Sequence, residues 1–292
     1  MRSTYSLLLV VLLAAAIGAF YLLSRGAATL SPSSPPLGPS LPPSNLRVIS
    51  LAPSITEILF ALGAGENIVG DTDFCDYPVE AKTKAKIGTM ISPSIERIIA
   101  LGPNYVIATR SSGNRIETAQ ALAKAGIQLV AVSDASIADL RGAFLQLGDL
   151  LGRKKEALAL AADLDGAAKK LTALSPGLTD RTALWIIARE PLYPAGKKTL
   201  YDDIMTRMGL KNVADWDGWR EYSGEVLRAT PPDVIFDTSG GPGGYYAKNF
   251  GLTKAEVFEL PTDEFSRPGP RLAPALLKLC DDLAARTKWA NE

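Results

Sequence analysis

From about residue 45 onward, apolar positions follow two alternating rhythms. Short β-branched runs at Arg47–Leu51, Asn67–Gly70, Tyr105–Thr109 and Gln128–Val132 read as strands, and a second set follows at Thr182–Ala188, Val234–Thr238 and Val257–Leu260. Between them apolar residues recur at helical spacing, as in Thr56–Leu62, Ile95–Leu101 and Asn114–Ala125. Wholly apolar strands alternating with helices predict an α/β fold, its parallel sheets covered by helices on both faces. The stretch from Ile137 to Leu174 breaks the alternation: it is rich in Ala, Leu, Lys and Asp and carries no strand signal. One long linker helix over 136–175 is expected there, with Gly152 as its point of interruption and Ser175-Pro176-Gly177 as its end. It would divide an N-terminal α/β lobe, 45–135, from a C-terminal one, 176–292.

The two halves also repeat one device. At a constant offset of 129 residues, Ser94, Glu96, Ala100, Pro103 and Thr109 pair with Ser223, Glu225, Ala229, Pro232 and Thr238. The shared pattern is a capping Ser, a Glu in the first helical turn, a short helix, a Pro turn and a buried strand. Taken singly, each Glu simply complements a helix dipole. The same device at both ends of a two-lobed body gives the pair a further meaning, taken up below.

The first 44 residues fall outside this pattern. Residues 7–23 are uncharged and almost wholly apolar, with Arg2 before and Arg25 after, so residues 1–30 read as a signal peptide or an uncleaved membrane anchor. Residues 31–44 hold eleven Pro or Ser in fourteen positions and form a linker with nothing to bury. Both features predict export of the folded part, cleaved free or tethered to a membrane through residues 7–23; the periplasm and inner membrane as its setting are implied by the resemblance given below.

Composition narrows the chemistry. The 292 residues carry 31 basic and 31 acidic side chains, so the clustered positive charge that nucleic-acid binding needs is lacking. There is no His, which removes the commonest general base and zinc ligand, and with them a Ser-His-Asp triad or a Cys-His dyad. Two Cys, at 75 and 280, cannot build a metal cluster alone; separately buried thiols are expected, with a disulfide between them as the alternative in an oxidising compartment. Asp73 with Asp76, or Asp202 with Asp203, could be drawn as acid/base pairs, but acids beside turns and helix starts are ordinarily caps. No catalytic or metal-binding residue and no cofactor is assigned. Glycine-rich SGGPGGYYAKNFG (239–251) lacks the ending of a phosphate loop and reads as a mobile loop on a cleft rim.

Four segments in order resemble the periplasmic substrate-binding proteins of ABC importers for cobalamin and ferric siderophores. They are RVISLAPSITEILFALGAGENIVGDTDFCDYP, IGTMISPSIERIIALGPNYVIA, GWREYSGEVLRATPPDVI and DEFSRPGPRL, spanning about Arg47 to Leu283. The resemblance implies two Rossmann-like lobes joined by one long rigid α-helix, a ligand cleft between the lobes, and a monomeric, non-catalytic binding protein. It also implies that Glu96 and Glu225 dock on the two transmembrane subunits of the importer, one charge at each end of a rigid body.

The expected cleft lies at the carboxyl ends of strands and in the loops that follow. It would draw Phe74, Tyr77, Met90 and Arg110 from the first lobe, and Arg189, Tyr193, Trp219, Asp263 and Arg267 from the second. Pro53, Ser54, Asp76, Tyr222, Tyr245, Tyr246 and Phe265 are further candidates, whereas Trp185, inside ALWII, reads as core. An aromatic lining with few charges suits a large, flat, amphipathic ligand. Phe74, Trp219 and Asp263 match positions that cobalamin binders use, although Phe74 stands where Tyr is more familiar and a tryptophan expected near Met90 is missing. Haem-binding relatives commonly place a Tyr iron ligand where this chain has Thr89. Arg110, Arg189 and Arg267 could instead neutralise a ferric chelate. A corrinoid is the leading expectation, a ferric siderophore the second and haem the third. A membrane-tethered sensor domain on the same fold is the rival reading of the whole chain.

Overall fold

The computed structural model describes residues 46–110 and 116–289. The signal or anchor segment, the Pro/Ser-rich linker and the first two positions of the helix expected at Asn114–Ala125 lie outside the described residues. All seven expected strands form, within about one residue of their predicted bounds, and three very short ones join them.

The first sheet holds β1 (Val48–Ser50), β2 (Ile68–Asp71), β3 (Ala85–Lys86), β4 (Tyr105–Thr109) and β5 (Gln128–Val132) in the order β3-β2-β1-β4-β5. Every pairing is parallel; β1 and β4 are fully buried and β2 nearly so, as continuous apolar runs require, while the edge strand β5 is partly buried. Helices α1 (Pro53–Ala61), α2 (Ile95–Ala100) and α3 (Ile116–Lys124) make the crossovers. With β1 flanked by β2 and β4, the strand order reverses there, which opens a crevice at the carboxyl ends of those strands.

The connecting segment differs from the expected single helix. It contains α4 (Ile137–Leu151) and α5 (Lys154–Ala173), followed by the one-turn α6 (Ser175–Leu178). The Ser136 hydroxyl caps α4 by accepting from the Asp139 amide at 3.0 Å, and Gly152 ends it in the left-handed region at φ 66°. The Arg153 amide then donates to the Gly148 carbonyl at 2.7 Å, and α5 packs back along α4. Gly152 therefore acts as a complete break rather than a kink, because only a left-handed residue lets the chain reverse within so short a junction. The 20-residue α5 is the long helix that links the lobes.

The second sheet holds β6 (Thr182–Arg189), β7 (Leu192–Pro194), β8 (Lys211–Asn212), β9 (Val234–Asp237) and β10 (Glu256–Glu259). Its order is β10-β9-β6-β7, with β8 also pairing with β6. It is mixed, not purely parallel: β6 and β7 form an antiparallel hairpin, while β6 runs parallel to β8 and β9. Helices α7 (Leu200–Arg207), α8 (Gly224–Ala229), α9 (Tyr245–Phe250), α10 (Thr262–Ser266) and α11 (Leu272–Trp289) complete this lobe. The glycine-rich segment read as a loop contains α9, with left-handed Gly244 and Gly251 at its two caps.

One contiguous buried cluster runs from the α1 face of the first sheet, through α4 and α5, to the second sheet. Trp185 is fully buried at its centre, its ring 4.9–5.4 Å from those of Tyr201, Phe236 and Phe265. A shared core of this kind couples the lobes more tightly than a flexible linker would. Cys75 and Cys280 are free and separately buried. The Cys75 sulfur accepts from the Thr56 hydroxyl at 3.1 Å.

Candidate functional site

The repeated device is present in both lobes. Ser94 caps α2, its hydroxyl accepting from the Arg97 amide at 3.4 Å, and Ser223 caps α8, accepting from the Glu225 amide at 3.2 Å. Glu96 and Glu225 are exposed in the first turns of these helices, which lead into β4 and β9.

A cavity of about 720 Å³ lies between the lobes. From the first lobe it takes Arg110, at the end of β4, and Ser133, Asp134 and Ala135, directly after β5. From the second come Ile187 and Tyr193 on the β6–β7 hairpin, Lys198 to Tyr201 at the start of α7, Gly218 and Trp219, Ser266 at the end of α10 and Pro268 beyond it. The first-lobe positions sit just beyond the carboxyl ends of the parallel strands β4 and β5, where a doubly wound sheet leaves room for a ligand. Trp219 is 38% exposed and meets Tyr201 edge to face at 5.5 Å. Tyr201 is buried and its hydroxyl donates to the Phe265 carbonyl at 2.8 Å, so the wall behind Trp219 is fixed. Burial raises the Tyr201 phenol well above its ordinary range, and it stays neutral. Lys198 adopts φ 60°, a left-handed conformation that a side-chain-bearing residue rarely takes, and it pairs with Asp217.

Of the nine residues expected in the cleft, the cavity brings together Arg110, Tyr193 and Trp219. Phe74 and Met90 stand exposed on two loops beyond β2 and β3, joined where the Asp73 amide donates to the Gly88 carbonyl at 3.0 Å. Tyr77 faces elsewhere: it lines a separate groove with Glu57, Phe60 and Pro274, and the Arg271 guanidinium lies 4.2 Å from its ring centre.

Arg189 is buried and committed internally. Its Nε donates to Asp237 at 2.8 Å, its Nη1 donates to the Pro242 carbonyl, and its guanidinium stacks on Tyr245 and Tyr246. A cation taken out of water must be paired, and Asp237 at the end of β9 supplies the partner. Asp263 and Arg267 pair with each other at 3.3 Å, and Arg267 also donates to Asp76. Tyr246 and Phe265 are core residues.

Asp202 and Asp203, one of the pairs that could have been drawn as catalytic, are structural. Asp203 accepts from the Ile137 amide at 2.9 Å and from Arg207 at 3.0 Å, and Asp202 accepts from the Lys198 amide and from Asn212. Sequence reasoning passed over Ser133 to Ala135, although their place just after a predicted strand was the signal that would have found them. Lys198 and Tyr201 had no such signal, because they reach the cavity only through the packing of α7 on the sheet. Among the described residues no group of His, Cys, Asp and Glu could hold a metal ion, and no helix is long and apolar enough to cross a membrane.

The fold and the cleft define a two-lobed solute-binding protein. The model of the family described as periplasmic binding protein matches residues 48–257, and the chain belongs to that family, whose members are transport components rather than enzymes. It is 29% identical over 250 residues to the uncharacterized ABC transporter substrate-binding lipoprotein YvrC of Bacillus subtilis, covering 81% of this chain and 79% of that one. It is 31% identical over 244 residues to the vitamin B12-binding protein of Salmonella typhimurium, covering 82% and 90%. A solved structure of a possible iron-binding periplasmic solute-binding protein from Staphylococcus epidermidis superposes with a TM-score of 0.64 at 31% identity, over 81% of this chain and 98% of that one.

Proposed function

We propose that this protein captures a corrinoid in the cleft between its lobes and delivers it to an ABC importer. The observation that carries this reading is the aromatic wall of the cavity: Trp219 braced by buried Tyr201, with Tyr193 beside it and first-lobe groups opposite. A rigid aromatic face flanked by hydroxyls and backbone groups suits a broad ring system bearing amide side chains. The vitamin B12-binding relatives support the same ligand class. Phe74 and Met90, exposed on loops at the same end of the first sheet, extend the apolar surface.

The test is a titration of the protein with cyanocobalamin, followed by tryptophan fluorescence and calorimetry. One saturable site whose affinity falls at least tenfold in Trp219→Ala is expected. No binding at high micromolar ligand would overturn the corrinoid assignment.

A ferric siderophore is the second reading, favoured by one observation: Arg110 and Lys198 place two cations on the cavity lining. Haem ranks below it, with Thr89 in place of the Tyr expected of haem binders. Delivery depends on Glu96 and Glu225, acting as a monomer. Reversing both, Glu96→Arg with Glu225→Arg, is expected to abolish uptake while ligand affinity stays intact; uptake that survived would remove the docking role. The protein works outside the cytoplasm, and residues 7–23 tether or export it.

A further inference from the structure

Two arginines flank the segment Arg267-Pro268-Gly269-Pro270-Arg271, and both reach from the second lobe into the first. Arg271 forms a two-pronged pair with Glu57 of α1, at 2.8 and 2.6 Å, beneath the ring of Tyr77. Glu57 is 3% exposed. Arg267 donates to Asp76, whose side chain is half exposed, and lies 3.8 Å from Glu57. The backbone between them lies against α1: a Cβ built on Gly269 would be in ordinary contact with the Ser54 carbonyl oxygen, at 3.5 Å. Ser266 and Pro268, on either side of Arg267, line the cleft cavity.

We propose that this segment is an interlobe strap with two unequal fastenings, Glu57–Arg271 as a permanent pivot and Asp76–Arg267 as a releasable latch that sets how far the cleft opens. The inequality follows from solvent. The Glu57 carboxylate is buried and held by two bonds from half-buried Arg271, so breaking that pair strands a charge, whereas the half-exposed Asp76 carboxylate exchanges a protein partner for water at little cost. Because Ser266 and Pro268 bracket Arg267, releasing the latch moves the cavity wall while the pivot keeps the lobes in register. The device acts on the empty protein and does not depend on which ligand the cleft takes.

The experiment measures the lobe-to-lobe distance by pulsed EPR without ligand, with spin labels at the exposed positions of Lys124→Cys and Lys248→Cys on the intact chain. The native thiols are buried and stay unlabelled. Wild type is expected to give a single narrow distance distribution. Asp76→Asn is expected to add a second, displaced population with no more than a few degrees' change in melting temperature. Salt at about 1 M, where screening reaches about 3 Å, should raise the same population in wild type. Asp263→Asn, which removes a carboxylate from Arg267 within its own lobe, should leave the distribution unchanged. If the Asp76→Asn distribution superposes on wild type, or Asp263→Asn shifts it equally, the latch is refuted. Because no ligand is present, failure of the corrinoid assignment would leave this result untouched.

Discussion

Replacing Gly148 by Ala tests the helix pair that joins the lobes. A Cβ built on Gly148 lies 2.3 Å from the Ala157 Cβ and 3.1 Å from the Arg153 carbonyl oxygen. Both carbons are fixed to helical backbone, so neither can rotate away, and α4 must separate from α5. Overpacking of a fixed core contact costs about 3 kcal/mol at the upper end of its range. Ala in place of Gly in a helix returns about 1 kcal/mol. The expected net loss is about 2 kcal/mol, or a fall of about 4–8 °C in melting temperature for a domain of this size.

Ala157→Gly alone should cost about 1 kcal/mol in helix propensity, while the double variant should sit within about 1 kcal/mol of wild type. The assay is urea unfolding followed by circular dichroism, completed as a double-mutant cycle. A Gly148→Ala protein as stable as wild type, or more so, would show that propensity alone governs this position. The close crossing of α4 and α5 would then not hold the lobes together.

Three further predictions concern buried and paired charge. Arg189→Ala leaves Asp237 buried against Tyr246 without its cation, and a loss of about 3–5 kcal/mol in unfolding free energy is expected, whatever the ligand. Asp233 accepts from the Thr182 amide and hydroxyl, both at 2.7 Å, and these bonds hold its carboxyl below the ordinary 3.8. Its contribution is therefore present above 3.8 and is lost as pH falls through the depressed folded value, so the stability gap between wild type and Asp233→Asn should close on acidification below pH 3.8. Burial raises the Cys75 thiol and lifts Cys280 to about 11, so a thiol reagent at neutral pH should react with the native protein only slowly. It should then titrate two thiols in denaturant, where a disulfide would give none.

What the sequence determined by itself was local and periodic. β-branched runs become buried strands because each is apolar on both faces, and Ser94, Ser136 and Ser223 begin helices because a hydroxyl satisfies an otherwise open amide. The paired Glu device was legible for the same reason, since every part of it lies within sixteen residues in each half. Even the break at Gly152 was marked, although whether the chain would kink or reverse depended on the fit of Gly148 against Ala157.

The tertiary structure decided how each long charged or aromatic side chain is used. Arg110 and Arg189 both end apolar strands and look alike in sequence. Arg189 is committed by Asp237, 48 residues further on, while Arg110 remains on the cavity. Tyr77 was expected in the cleft, but the Arg271 guanidinium stacks against its ring, and Glu57, within the helix expected at Thr56–Leu62, takes its partner from 214 positions away. The Arg189 partner is fixed by the pairing of β6 with β9, and the Arg271 partners by how the two lobes meet. That meeting is a property of the shared core, which no local stretch of sequence contains.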